Sequence, residues 1–496
     1  MASNPELSKV SLDQRLRWPT VHFFLAAGKW LIVASLFGLI SSIQDINPSF
    51  LAGFEWLTYG KTKAVFMNSL IYGWGFNAAF GVVLWMMARL CGSVACKCNI
   101  LFVGGVFWQL GLIVGVVGIL IGDMTSVLWL EMPTYAAGIL LVSYTVMGTW
   151  GIITFLHRLT RNVYIAQCYF LGALFWFPWL YTVAQMMLFW WPVRGTLQPL
   201  LNWWYVQGVI GMWFAPIAVG AAYYLIPKIL GKKILHYNYA IAAFWLWALF
   251  SSWAGMSDLA GSPVPAWIVT SGIIASVLLL VPIVIISVNL HGVSIFNLGK
   301  IRKNPSLRFI VFSSVFFSIL GLLSALISLR TVSSVLRFTY FTEGYFYHAL
   351  LGFYTMAMFG SIYFVLPQLL DRKWSSNSLL GFHYWVSGGG ISVVLISLYL
   401  GGWLQGIQVS SLNEEGVASY SISEISRFAS TWLFLKLIGI AAFVLGNFVF
   451  VFNLMSMLLS YLGDGVLKQF QFEIDMEPFK EKAARILYGT RYDRQI

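Results

Sequence analysis

Long apolar runs broken by short polar loops recur twelve times along this chain. In the first half they extend from 20 to 44, 62 to 90, 98 to 122, 132 to 157, 164 to 191 and 200 to 226. In the second half they extend from 237 to 256, 264 to 290, 306 to 329, 343 to 369, 383 to 406 and 430 to 460. Each reaches the ~20 residues of helix that cross a hydrocarbon core. In lipid such a run satisfies its backbone only as a helix, because no water is there to bond a free N–H or C=O. The pattern predicts an all-α polytopic membrane protein with twelve transmembrane helices. It divides the chain into a polar segment at 1–18, a membrane domain at 19–462 and a tail at 463–496.

Composition agrees, with 59% hydrophobic and 10% charged residues and a mean hydropathy of +0.79, outside the range of soluble domains. Charge then sets the orientation. The N-terminal segment, the even-numbered loops and the tail hold 22 of the 30 basic residues, from Lys9, Arg15 and Arg17 through Lys300, Arg302, Lys303 and Arg308 to Arg494. The opposite loops carry Asp45, Glu55, Asp123, Glu131, Glu414, Glu415 and Glu424, with Lys61, Lys63, Arg194 and Arg427 among the basic exceptions. The positive-inside rule places both termini in the cytoplasm of a bacterial-type inner membrane. The net charge of +12 follows from topology and anionic lipid, and calls for no nucleic acid. The N-terminus shows no cleavable signal pattern, so the first span is expected to stay. The tail mixes charge with Phe470, Phe472, Phe479 and Ile486, the makings of a surface amphipathic segment or of a solvated tail. Of the two longest outer loops, 45–60 and 407–428, the second is rich in Ser and Glu and reads as a docking surface or a mobile loop.

Cysteine and histidine bound the chemistry. Cys91, Cys96 and Cys98 cluster in one cytoplasmic loop, with a spacing that matches no common zinc signature. No CxxCH occurs, so this chain attaches no c-type heme covalently. Five of the six histidines, His22, His157, His236, His291 and His383, fall at span ends or in loops. Only His348 lies inside a span, about one and a half turns into the tenth helix. Gln207, Asp258, Tyr347 and His348 fall at similar depth on three helices and read as one polar layer. A carboxylate there costs roughly 2.5–3.5 kcal/mol on insertion scales, so Asp258 is expected to pair with Gln207, Tyr347 or His348. Lys29 and Lys436 also lie well inside spans. The second is expected to snorkel toward the outer interface, and the first to meet an acidic partner or a lipid phosphate.

Several stretches carry a resemblance: Asn202 to Gln207, Ala243 to Trp245, Trp253 to Asp258, Gly344 to Tyr347, Leu351 to Phe353, Tyr363 to Pro367, His383 to Trp385 and Gly416 to Tyr420. With the twelve spans, they resemble the catalytic subunit of C-family heme–copper oxygen reductases, the cbb-three type. The resemblance implies a heme–copper oxidase subunit I-like bundle and covers nearly the whole chain. It also implies where the ligands should be. The second-helix heme ligand falls on Phe66 and the sixth-helix copper ligand on Gln207. The paired seventh-helix copper histidines fall on Ser257 and Asp258, the active-site tyrosine on Ser251, and the tenth-helix heme histidines on Tyr345 and Tyr347. The ninth-helix glutamate falls on Leu323. Arg330 and Arg337 lie where relatives hold heme propionates, and are expected here to meet a partner subunit or lipid headgroups.

Copper at such a site wants neutral imidazoles, and Gln, Ser and Asp lack their softness and geometry. Heme iron needs His, Met, Cys or Tyr, and tyrosine ligates as a phenolate, an anion that a low-dielectric layer disfavours. Met67 and His348 each sit one residue from an expected heme position, and one residue turns a helix by about 100°. No catalytic, metal or cofactor residue is therefore assigned, and no cofactor is expected, with heme b on His348 and Met67 as the alternative. Since close packing forbids heme-sized voids, Phe66, Trp213, Phe346 and Phe353, or lipid, are expected to fill the space. The reading is a metal-depleted scaffold subunit of a respiratory electron-transfer complex, with a membrane-anchored c-type cytochrome or other respiratory subunits as partners. Two alternatives stand beside it: a heme oxidoreductase with shifted ligands, and a transporter using Asp258, Gln207 and Lys29.

Overall fold

The computed structural model describes residues 5–93 and 97–488, with side chains from 11 to 463 within that range. Among the described residues, twelve helices are long and apolar enough to span a membrane, and they match the twelve apolar runs. We number them α1 (Ser11–Gln44), α2 (Tyr59–Cys91), α3 (Asn99–Ile121), α4 (Thr134–Leu156), α5 (Ile165–Trp190) and α6 (Leu197–Leu230). The second half holds α7 (Tyr237–Leu259), α8 (Ala266–Ile295), α9 (Pro305–Ser328), α10 (Tyr340–Leu370), α11 (Asn377–Ser410) and α12 (Ile422–Gly463).

Helix boundaries run past the apolar boundaries wherever polar residues tolerate a helix. The first helix begins at Pro5, inside the segment read as a polar lead-in, and the last continues to Tyr488. The tail side chains Phe470, Phe472, Phe479 and Ile486, like Cys96 of the cysteine loop, lie outside the described residues.

Three helices form the interior. The most apolar stretches of α2, α6 and α10 are 94–100% buried, against 39–56% for the other nine. The nine carry an apolar face to lipid, as transmembrane helices must, and the three face protein on all sides. Each inner helix also contains a π-helical stretch, at Ser69–Gly75 in α2, Val209–Phe214 in α6 and His348–Thr355 in α10. Such a widened turn rotates the residues after it relative to those before, and is commonly found at functional sites.

Glycine lets the helices close. A Cβ on Gly390 of α11 would stand 2.7 Å from the carbonyl oxygen of Gly439 on α12, and one on Gly402 would stand 2.0 Å from the backbone nitrogen of Phe341 at the start of α10. Small residues at such crossings allow the backbone approach that drives helix association in lipid. The centre is aromatic: Phe76 stacks on Trp213 with centroids 4.5 Å apart, beside Phe177 and Tyr144.

Candidate functional site

The start of α6, the end of α7 and the segment before α10 build the first polar centre. The last turn of α7, Gly255–Leu259, tightens to a 3₁₀ helix, from which Asp258 reaches α6. Gly255 makes this possible, because a Cβ there would stand 2.8 Å from Cβ of Gln207. Gln207 Nε2 donates to Asp258 Oδ2 at 2.9 Å. Arg337 Nη1 donates to Asp258 Oδ1 at 2.9 Å, and its Nε donates to Ser333 at 2.8 Å. Both charged side chains are 10% exposed. Tyr345 Oη reaches Gln207 Oε1 at 3.4 Å, and Ser257 turns its hydroxyl back to the carbonyl of Ala254 at 2.9 Å. A carboxylate bonded by a guanidinium and an amide is a self-contained, charge-balanced unit. The expected Asp258–Gln207 pair is present. Its charge partner, however, is Arg337, which thus serves this chain rather than an external headgroup or subunit.

A second polar centre ties α2, α10 and α12 to the end of α1. Lys63 of α2 pairs with Glu343 of α10 and donates to Tyr347 Oη at 3.3 Å. Lys436 of α12 donates to Asp45 Oδ2 at 2.6 Å and to Glu343 Oε1 at 3.1 Å. Two lysines and two carboxylates make the cluster neutral, with the Tyr347 ring within 5.6 Å of both ammoniums. Lys436 does not snorkel: it is fully buried, because two carboxylates reach it where it stands.

The polar layer read from the sequence is therefore divided. Gln207 and Asp258 share one centre and Tyr347 belongs to the other. His348 belongs to neither: Nδ1 meets Tyr399 Oη at 3.0 Å and Nε2 meets the carbonyl of Phe316 at 3.0 Å. Both ring nitrogens are engaged between α9 and α11. Met67 instead lines a cavity of ≈ 440 Å³ at the ends of α2 and α10, with Tyr59, Lys63, Trp129, Glu131 and Tyr347. His348 and Met67 are not brought together.

Glu131, in the loop between α3 and α4, was read from the sequence only as a loop acid. It is buried and accepts from Asn68 Nδ2 at 2.7 Å. Burial pushes its carboxyl up to about 7, an effect the Asn68 hydrogen bond only partly offsets. Nearby, Trp129 takes a left-handed backbone (φ 65°), unusual for a bulky residue, and its carbonyl accepts from Tyr72 Oη at 2.6 Å. His383 is a second surprise. Placed by sequence at a span end, it is fully buried, bonded through Nδ1 to Tyr363 Oη at 2.7 Å and packed by Phe309 and Phe359. The extension of α11 to Asn377 carries it more than a turn inside. In the cysteine loop, Cys91 Sγ accepts from Gln167 at 3.4 Å.

The donors at the positions assigned by the resemblance do not suit copper or heme. At the copper positions stand an amide, a hydroxyl facing its own helix, and a carboxylate already neutralised by Arg337, whose cation also repels a metal ion. At the heme positions stand Phe66, whose ring meets Tyr347 edge-on at 6.0 Å, Tyr345 and Tyr347. A Cβ on Gly38 would lie 2.9 Å from the Phe66 ring, so that ring fills the space beside α1. Three cavities adjoining these positions measure ≈ 50, ≈ 20 and ≈ 10 Å³, and the ≈ 440 Å³ cavity beside Met67 also reaches Tyr347. A cavity of about 150 Å³ accepts one benzene, and a porphyrin is several times larger. The roomier cavity beside Met67 is lined by no imidazole among the described residues. Of the other aromatics expected to fill the space, Phe346 stacks on Trp203, Phe353 packs against Phe317 and Trp213 stacks on Phe76.

A family model described as cytochrome c and quinol oxidase polypeptide I matches residues 19–444. The chain is 22% identical over 434 residues to the cbb3-type cytochrome c oxidase subunit CcoN1 of Stutzerimonas stutzeri, covering 86% of this chain and 91% of the relative. It is 23% identical over 446 residues to a cytochrome c oxidase subunit 1 homolog of Agrobacterium tumefaciens, covering 87% and 82%. A bacteroid homolog from Bradyrhizobium diazoefficiens is 24% identical over 442 residues, covering 86% and 79%. Among solved structures, a chain of a heme-copper terminal oxidase dimer superposes with a TM-score of 0.71 at 13% identity, over 89% of this chain and 84% of that one. That likeness concerns the fold.

Proposed function

Because the chain belongs to the cytochrome c and quinol oxidase polypeptide I family, we propose that it serves as a metal-free scaffold subunit of a respiratory membrane complex. The chain is a cytochrome c oxidase subunit I-like, multi-pass membrane protein, and fold alone leaves its chemistry open. The observation that supports the scaffold reading is the Gln207–Asp258–Arg337 unit, which stands where the resemblance implies copper ligands. An ion pair whose charges balance contributes to holding three segments together, and its guanidinium repels a metal ion. The neutral cluster of Lys63, Glu343, Lys436 and Asp45 plays the same part between α2, α10 and α12.

In this reading, electron transfer belongs to the partners, a membrane-anchored c-type cytochrome or other respiratory subunits, and both termini face the cytoplasm. A heme on shifted ligands gains no support, since His348 spends both nitrogens on Tyr399 and Phe316. The test is a pyridine hemochrome assay with copper quantitation on the tagged chain after its partners are stripped by detergent. The scaffold reading expects far less than one heme and one copper per chain. Stoichiometric heme or copper would contradict it.

A further inference from the structure

Lys29 stands apart from the ion pairs described above. Among the described residues its ammonium makes one contact, 5.0 Å from the centre of the Trp30 ring. Its neighbours fix its direction. Gly28 packs on Val451 and Leu454 of α12, and Trp30 packs on Gly73 of α2 and donates to Gln109 of α3 at 2.7 Å. Lys29, about 100° around the helix from each, turns out of the bundle and is exposed.

Its depth makes that exposure costly. At 1.5 Å per residue the Cα of Lys29 lies about 17 Å along the axis from Trp18 and about 23 Å from Gln44. Lysine's stem reaches about 6 Å, and a helical side chain leans toward the N-terminus. The ammonium therefore stops about 10 Å short of the level of Trp18, too deep for a headgroup phosphate. Apart from His22, whose ring lies within electrostatic reach of Lys29, the face around it is apolar: Leu36 of α1 is 46% exposed, as are Phe102 and Val106 of α3 to a similar degree.

We propose that this face of α1 seats a membrane-spanning helix of another subunit, which brings an aspartate or glutamate to Lys29 in mid-membrane. An apolar surface with one buried-depth cation is complementary to an apolar helix with one carboxylate, since intramembrane charges pair with one another. A second copy of this chain is a poor occupant, because a two-fold contact would bring Lys29 against Lys29. The inference rests on the scaffold reading in one respect, that the chain works within a complex.

The experiment purifies the complex from the native membrane through a tag on this chain and quantifies its co-purifying membrane subunits. Lys29→Glu is expected to lower one subunit with an intramembrane carboxylate at least tenfold, and Lys29→Arg to retain it. Exchanging that carboxylate for lysine is expected to restore the Lys29→Glu complex. A photo-crosslinker at Leu36 is expected to label the same subunit. Lys29→Leu, easily accommodated in lipid, serves if the charge reversal prevents insertion, and is also expected to lose the subunit. Full subunit retention in Lys29→Glu or Lys29→Leu, failure of the exchange, or crosslinks only to lipid or to a second copy would overturn the proposal. Heme measured on the same samples reads the scaffold question separately: stoichiometric heme with loss of the subunit removes that reading and leaves this one standing.

Discussion

A buried carboxylate behaves according to the groups within hydrogen-bond reach, and Asp258 and Glu131 show the two extremes. Asp258 has a guanidinium and an amide. Removing one partner of a buried pair leaves the other charge unpaired, at about 3–5 kcal/mol. Asp258→Ala is expected to lower the thermal midpoint in mild detergent by that equivalent, whereas Asp258→Leu combined with Arg337→Met should recover most of it. Equal midpoints for the single variant and the parent would show that the pair is not buried in the working protein. Glu131 meets the Asn68 amide and backbone N–H groups instead. Burial pushes its carboxyl up to about 7, so the folded protein holds this proton more tightly than the unfolded chain. Its contribution is fully present below about pH 4.5 and is lost as pH rises through about 7, a loss worth about 3 kcal/mol. The thermal midpoint should therefore fall between pH 5.5 and 8, and Glu131→Gln should flatten that slope. An unchanged slope in the variant would assign the pH dependence elsewhere.

Helix packing here depends on backbone approach, which makes some glycines matter and others not. A Cβ on Gly402 would press on the Phe341 backbone, while one on Gly389 of the same helix meets nothing within 4 Å. Gly402→Ala is expected to cost about 3 kcal/mol through overpacking, and Gly389→Ala to be nearly neutral, read as the surviving monodisperse fraction after heating. The twelve spans were legible because hydrocarbon thickness imposes a minimum apolar length. The π-helical stretches in α2, α6 and α10 were not. A widened turn changes no composition, and a helix buried on all sides has no polar face whose phase could betray the shift. His383 escaped for a different reason: its span was read as starting at 383, whereas the helix begins at Asn377 with polar residues that tolerate it.

At the scale of the whole molecule, the family bundle was legible, and the long-range pairings inside it were not. Asp258 meets Arg337 across 79 residues and Lys436 meets Asp45 across 391. No local pattern encodes contacts at such separations. The one available signal was depth: Asp45 ends α1 and Lys436 lies inside α12, on the same side of the membrane, so each could have been sought as the other's partner. What the molecule preserves is a ring of nine helices around three. On the scaffold reading, ion pairs and aromatic rings stand at the positions where the resemblance implies metal and porphyrin.

The most direct test of that claim is a cryo-EM map of the intact complex at side-chain resolution. The account predicts continuous density from Arg337 through Asp258 to Gln207, with the Phe66 ring against Gly38 and no planar macrocycle between α2 and α10. A porphyrin between those helices, or a metal peak bridging Gln207 and Asp258 with Arg337 swung away, would contradict it.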